Sequence, residues 1–456
     1  MSAMIELDNK YLENLHSLIE EGKDRVLSKK ISALHATDIA RVLNQLKRDD
    51  VHYTYRLLSD ELKSDVLVDL NDDVREDLLS TLTSKEIAED VIEGLESDDA
   101  ADVVQDLSKE KLEEVLSLVE DEEAKSDVMD LLTYEEGTAG SLMAKELVSV
   151  EESMTVAKAI REIRAQAENM DQLYTVYVVN KRGKLTGRLS LKNILLNAPS
   201  TRTPIKELMN SSDLVSIEAT ESDEVVVSLM EKYDIVALPV VDEKGKLVGR
   251  ITIDDAVDVI IEEAEKDYQL ASGISEDVES NDSVLALTRA RLPWLLIGLA
   301  GGIGGAYVIG AYDIKSNPEL ALFIPLIAAM GGNVGVQSSA IVVQGLASSN
   351  LNNSNIFSKL AKELGVGLLN GIICSALIYA ITYTLDIDPS LSITVSLSLL
   401  CVIVFAALFG TFIPLALDKR DIDPALATGP FITTANDIIG LIIYFSVSSL
   451  VCSFFA

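Results

Sequence analysis

Residues 430–445 read PFITTANDIIGLIIYF, an apolar run of helical length with a single carboxylate, Asp437, near its centre. A charge at the middle of a membrane helix costs roughly 2.5–3.5 kcal/mol on insertion scales, so its presence asks for a reason. The surrounding chain points to a membrane. Apolar runs close to the roughly 20 residues that a span requires occur five times, at about Pro293–Tyr312, Leu320–Leu346, Leu364–Leu385, Leu391–Leu417 and Leu426–Phe455. Thr433 and Thr434 precede Asp437 by four and three residues, Pro430 by seven, and Gly440 follows by three. At about 3.6 residues per turn they share one polar helix face, opposite Ile and Leu.

Two readings of Asp437 stand side by side. It is either a protonated acid hydrogen-bonded to a neighbouring helix, or a residue of an ion path, the commoner role of intramembrane carboxylates. An intramembrane aspartyl protease needs a second Asp to share a proton. Glu319 and Glu363, the nearest other acids, fall at span ends. The second run contains AAMGGNVGVQSSA. Asn333 and Gln337 are four residues apart on one face, among glycines such as Gly335 that bare backbone carbonyls, a combination able to bind a neighbouring helix or line a wet path. The glycines of the first run, GLAGGIGGAYVIG, suit close helix packing.

Charge divides the chain. Residues 291–456 hold six Lys or Arg and nine Asp or Glu, a net charge of −3, so −32 of the total −35 falls on residues 1–290. Nucleic-acid binding is excluded as an expectation, because phosphate contacts need clustered Lys and Arg. Cations or basic partners fit the acidity. Cys374, Cys401 and Cys452 have neither disulfide-framework nor zinc spacing, and His16, His35 and His52 form no metal pair. The N-terminal sequence has no basic start followed by an apolar core, so no cleavable signal is expected. Arg289, Arg291, Lys359, Lys362, Lys419 and Arg420 flank the spans on the side of the soluble half, and Lys315 falls on the other. By the positive-inside pattern the soluble half is cytoplasmic and, after five spans, the C-terminus lies on the opposite side of the cell membrane.

The soluble half contains a repeat. Residues 178–195, VVNKRGKLTGRLSLKNIL, align without a gap with 240–257, VVDEKGKLVGRITIDDAV; upstream, LVSVEESMTVAKAIREI from Leu147 resembles LVSIEATESDEVVVSLM from Leu214. Strand, helix, strand, glycine turn, strand, helix is the pattern of a CBS domain, and two copies resemble a CBS pair. Such pairs often hold adenosine nucleotides through a Ser or Thr and an Asp three residues later, which takes the ribose hydroxyls. The second copy offers Thr252 and Asp255, whereas the first has Ser190 and Asn193 and so lacks the acid. ATP is therefore expected at the second copy, unless Thr252 and Asp255 simply cap the helix that follows.

Residues 30–133 repeat Leu-rich amphipathic units, among them LHATDIARVLNQL, LNDDVREDLLSTL and LESDDAADVVQDL, suggesting a superhelical stack of short helices. After the repeat comes DDAVDVIIEEAEKDYQLA, with Val257, Ile260, Ile261 and Ala264 on one face and a dense acidic face on the other. It leads through 271–288 to the first span. The expected fold is multidomain: an all-α superhelical acidic domain (1–137), an α/β tandem CBS pair (138–200 and 201–258), an acidic connecting or plug helix region (254–288), and a transmembrane domain of five helices (289–456).

This order of parts, with GGNVGVQ in the second span, PFITTANDIIG in the fifth and YEEGTAGSLM at Tyr134–Met143, resembles the MgtE family of magnesium channels. The resemblance implies a homodimer with a pore on its two-fold axis, admitting Mg2+ to the cytosol, with Asp437 as the main cation site. Magnesium prefers octahedral oxygen and keeps its water, so two such carboxylates holding a hydrated ion make chemical sense. One position departs: Val336 stands where the family commonly has Asn, removing an outer polar contact. The resemblance also implies regulatory Mg2+ bridging acids that match Asp99, Glu224, Asp234, Asp255, Asp258, Glu263, Asp267 and Asp423. Two carboxylates about 6 Å apart repel by about 0.7–3 kcal/mol, depending on the local dielectric, so such acids would separate without a cation and close with one. The alternatives are a divalent-metal transporter coupled to sodium or protons, and a membrane-anchored metal or nucleotide sensor. No nucleophile with a base, catalytic metal cluster or phosphate loop suggests an enzyme.

Overall fold

A computed structural model describes residues 9–168, 170, 172–276, 278, 282–312, 318–347, 356–420, 422–427 and 429–455. It divides into two compact units, Met1–Ile261 and Glu262–Ala456.

The first unit begins with short α-helices between Asn9 and Leu131, most of them 8–12 residues long, and one π-helical turn, Ala88–Ile92. Polar residues start several of these helices by taking their free N–H groups. Thr83 and Glu86 form a reciprocal capping box, Ser108 accepts from the Lys111 N–H, and Asp121 accepts from those of Glu123 and Ala124. Their Leu, Ile and Val stripes bury Leu27, Ile31, Ile39, Leu43, Leu67 and Val104 in a stack of helices.

Two three-stranded sheets follow. β1 (Val148–Glu151) runs parallel to β2 (Val176–Val179), which pairs antiparallel with β3 (Leu185–Leu189); β4 (Ile217–Glu218), β5 (Ala237–Val241) and β6 (Leu247–Thr252) repeat that order. The copies are joined reciprocally. Their glycine turns pair through Leu185 N–H to Gly245 O and Leu247 N–H to Gly183 O. The lead-in of each copy pairs with the last strand of the other: Ala144 with Arg250, and Asn210 with Arg188. Gly187 and Gly249 permit this, since a Cβ would stand 3.0 Å from Asn210 O at the one and 2.9 Å from Ala144 O at the other. Residues 138–144 thus lie against the second copy. The N-terminal helices share one continuous core with that copy, including Ile217, Val226, Leu238, Val240 and Ile251, whereas the first copy packs around its own Val148, Val150, Ala159, Val176 and Val178.

The connecting helix, Ile253–Ala271, runs from the first unit into the second. Ala256 and Val259 are buried, while Val257, Ile260 and Ile261 stay exposed.

Among the described residues, the second unit contains five helices long and apolar enough to span a membrane. They are the first span Val284–Ala311, the second Ile324–Ala347, the third Ile356–Thr384, the fourth Pro389–Asp418 and the fifth Pro430–Phe455. The fourth is the most enclosed. Glycines set the close approaches. Gly301, Gly304 and Gly305 of the first span face Thr434, Ile438 and Leu441 of the fifth, and Gly367 and Gly371 of the third face Ala407 and Leu400 of the fourth. One face of the glycine-rich first run is therefore a packing face, while Gly298, Gly302 and Gly310 of the same run have open space beside them.

Candidate functional site

Asp437 lies eight positions into the fifth span and is half-buried. A Cβ on Gly332 of the second span would stand 3.1 Å from the Thr433 methyl and 3.9 Å from Asp437 Oδ1, so the two side chains lie against a glycine surface that leaves backbone within reach. Thr433 Oγ1 donates back to Gly429 O at 2.9 Å. Thr434 turns instead to Gly301 of the first span, and Gly440 faces Val402 and Ile327. The polar face expected around Asp437 is thus divided among three neighbours.

The side chain locking this region is Asn436. It is 1% exposed, its Nδ2 donates to Gly331 O at 3.3 Å, and its Oδ1 has no partner among the described residues. Gly335 makes room for it, since a Cβ there would meet Asn436 Nδ2 and stand 2.7 Å from the Ile432 Cγ2. Gly335 also lies against Gly410, backbone to backbone. Gly335 is therefore part of a helix contact and does not share the face of Asn333 and Gln337. Those two amides are exposed, on a stripe continued by Pro325, Ala329, Ala340 and Gln344 at four- and three-residue spacing.

A second constellation forms where the helix Ser97–Gln105 meets the start of the connecting helix. It brings Asp99 and Asp255 together and adds Asp98. Burial, then the nearby Asp255 and Asp99, hold the Asp98 carboxyl well above its ordinary range. Asp99 is pushed up to about 7 by burial and then by Asp255, Asp102, Glu96 and Asp254. Asp255 rises to about 6, mainly through burial, with the Thr252 backbone opposing and Asp254 reinforcing the rise. Asp258 is raised by burial, Asp254 and Asp69. Carboxylate oxygens of Glu96, Asp98 and Glu146 lie within 4.8 Å of one another, a spacing that would suit a shared cation. Arg250, 5% exposed, reaches Glu96 Oε2 at 2.7 Å and also binds Glu146 O, while the Ser97 N–H and hydroxyl bind the Glu146 carboxylate.

The remaining acids lie elsewhere. Glu224 is in the first turn of helix Asp223–Tyr233, and Asp234 ends that helix in a left-handed conformation with φ 51°. Glu263 and Asp267 are on the part of the connecting helix that belongs to the second unit. Asp423 Oδ1 accepts from the Ala425 N–H at 2.8 Å, before the fifth span.

Thr252 and Asp255 are hydrogen-bonded to each other, the Thr252 N–H and hydroxyl both donating to Asp255 Oδ2 at 2.7 and 3.0 Å. They form the helix cap. The surroundings of this copy are taken up by Glu96 on Arg250 and by Asp98 and Asp99. At the equivalent place in the first copy a cavity of about 370 Å³ is lined by Tyr174, Thr175, Arg188, Ser190, Asn193 and Asn210.

Residues 34–137 match the family described as MgtE intracellular N domain, 139–199 and 205–262 match the CBS domain, and 324–447 match MgtE, divalent cation transporter. A magnesium transporter MgtE of Thermus thermophilus is 33% identical over 450 residues, 97% of this chain and 99% of the relative. The chain belongs to the MgtE family. A second MgtE, from Bacillus subtilis, is 32% identical over 95% of each chain. Among solved structures, the cytosolic domain of the Mg2+ channel MgtE in complex with ATP is 34% identical and superposes with a TM-score of 0.50, covering 54% of this chain and 99% of that one.

Sequence reading missed Asn436, Asp98, Glu96, Glu146 and Arg250. Asn436 stands beside the conspicuous Asp437, and at about 100° per residue the two must point to different neighbours. That offset was the available signal. Glu146 and Arg250 carry no such mark, because the lead-in of the first copy crossing to the last strand of the second brings them together.

Proposed function

We propose that the chain is a magnesium-selective channel that admits Mg2+ to the cytosol and is closed by Mg2+ on its acidic soluble half, as a device of magnesium homeostasis. The placement of Asp437 carries the reading. A half-buried carboxylate sits with Thr433 against the glycine surface of the second span, where a hydrated divalent ion would meet one full charge and several neutral oxygens. The protein works as a homodimer in the cell membrane. Lipid cannot satisfy the exposed amides of Asn333 and Gln337, so a second copy and the water between the copies cover that stripe. The soluble half is cytoplasmic and the C-terminus lies on the other side, in keeping with the distribution of Lys and Arg.

Regulation follows from the acids. Asp98, Asp99 and Asp255 are held together at the expense of raised proton affinity, which divalent cations relieve. Glu224, Asp234, Asp258, Glu263, Asp267 and Asp423 extend the regulatory set. The ATP complex of the solved relative supports ATP as a ligand, and the cavity of Tyr174, Ser190 and Asn193 in the first CBS copy is the place with room for it. No step of the proposed cycle makes or breaks a covalent bond.

The test is Mg2+ influx into proteoliposomes at fixed voltage without a sodium or proton gradient. Flux in the unmodified protein and its loss in Asp437→Ala is the expected result. Equal flux in both would make Asp437 a structural acid, and flux that needs a sodium or proton gradient would establish coupled transport instead.

A further inference from the structure

Glu363 lies about two turns into the third helix. The third span begins at Ile356, seven residues earlier, and the Glu363 carboxylate turns into the bundle. Ser338 of the second span, 4% exposed, donates its hydroxyl to Glu363 Oε1 at 2.6 Å. Two further buried hydroxyls lie on the adjoining helix faces: Ser339 follows Gly335, which lies against Gly410 of the fourth span, by one turn, and Thr411 follows Gly410. Gly371 packs on Leu400, and Gly367 on Val404 and Ala407, so the face of the fourth span toward the third recurs as 400, 404, 407 and 411, antiparallel to it. One turn before Gly367, Glu363 comes level with Thr411. Thr411 is 2% exposed and Ser339 fully buried, and neither hydroxyl has a partner among the described residues. Nor does Glu363 form an ion pair among them.

An inward-facing carboxylate without a basic partner, beside buried hydroxyls without hydrogen-bond partners, is a ligand set lacking its ligand. We propose that Glu363, Ser338, Ser339 and Thr411 form a binding site for one dehydrated sodium ion inside each protomer, separate from Asp437. A single negative charge with three neutral oxygens matches a monovalent ion. Magnesium gives up water reluctantly and takes octahedral coordination at short distances, which this set does not offer. A proton would neutralise the carboxylate but leave the lone pairs of Thr411 and Ser339 unused. The bound ion would tie the second, third and fourth spans together one turn from Gly335, which seats Asn436 beside Asp437, so occupancy would brace the ion-path helix. The site stands on its own ligands and does not depend on the channel reading.

Thermal unfolding of the full purified chain in detergent, with EDTA present, tests the site by comparing sodium chloride with N-methyl-D-glucamine chloride at equal ionic strength. Sodium should raise Tm by several degrees with a saturable dose dependence, and retained 22Na+ should approach one per chain. Glu363→Gln, which keeps the shape and the Ser338 contact, should abolish both effects without lowering Tm in the sodium-free salt. Thr411→Val should move the sodium midpoint at least tenfold higher, and Asp437→Ala should leave the sodium effect intact. Equal melting in the two salts, a sodium effect undiminished in both Glu363→Gln and Thr411→Val, its loss in Asp437→Ala alone, or stabilisation by acid with none by sodium would each overturn the proposal.

Discussion

Asp99→Asn should stabilise the soluble unit when no divalent cation is present. The folded protein holds the Asp99 carboxyl at about 7 against an ordinary 3.8. At about 1.4 kcal/mol per pKa unit, the ionised group costs the folded state roughly 4 kcal/mol. The sign follows from proton binding: between pH 4 and 7, roughly, the folded state binds more protons than the unfolded one, so stability falls as pH rises through this window and the full cost is felt above it. Asn removes the charge but remains a buried amide, so a net gain of about 1–3 kcal/mol is expected at pH 7.5, equivalent to roughly 5- to 150-fold slower amide exchange through local opening. Hydrogen exchange of the amides in Ser97–Gln105 and at the start of the connecting helix reads this directly. In the unmodified chain, millimolar Mg2+ at pH 7.5 should raise the protection factors of the same amides, as should acidification from pH 8 to 5 once the intrinsic pH dependence of exchange is divided out, and both responses should shrink in the variant. Unchanged or faster exchange in Asp99→Asn, together with protection factors in the unmodified chain that do not change with pH across this range, would refute an electrostatic cost at this contact.

Gly335→Ala should drive Asn436 from its seat and cost about 1–3 kcal/mol, the usual penalty of overpacking; lowered thermal stability with Mg2+ flux reduced in parallel is the expected outcome, and wild-type values for both would contradict the contact. A cysteine replacing exposed Asn333 or Gln337, in a chain lacking Cys374, Cys401 and Cys452, should cross-link two copies with a short thiol reagent in membranes, while the same change at lipid-facing Leu369 should not. In calorimetric titration with ATP, Tyr174→Ala and Asn193→Ala should remove the heat, whereas Thr252→Ala should leave it and instead cost about 1 kcal/mol of stability through the lost hydroxyl–carboxylate hydrogen bond to Asp255.

The sequence by itself determined the five spans, the doubled CBS unit, the stack of short helices and the family, because each is written in local periodicity or in ordered motifs that need no knowledge of distant contacts. It also singled out Asp437, since a charge in an apolar run is visible without a fold. Which face of that helix meets which neighbour was not legible. Thr433 and Thr434 look equivalent on a helical wheel, yet one meets Gly332 and the other Gly301, and the buried residue is Asn436. Glu363 read as a span end because hydropathy marks the apolar stretch and not the helix, which starts earlier and turns this acid inward onto Ser338. The nucleotide signal shows the same limit. Spacing favoured Thr252 and Asp255, but residues 138–144 cross to the second copy and bring the acidic helix with them, so that place is filled while its counterpart at Ser190 and Asn193 stays open. The crossing lead-in joins residues about a hundred positions apart, as with Glu146 and Arg250, and no local pattern encodes such a contact.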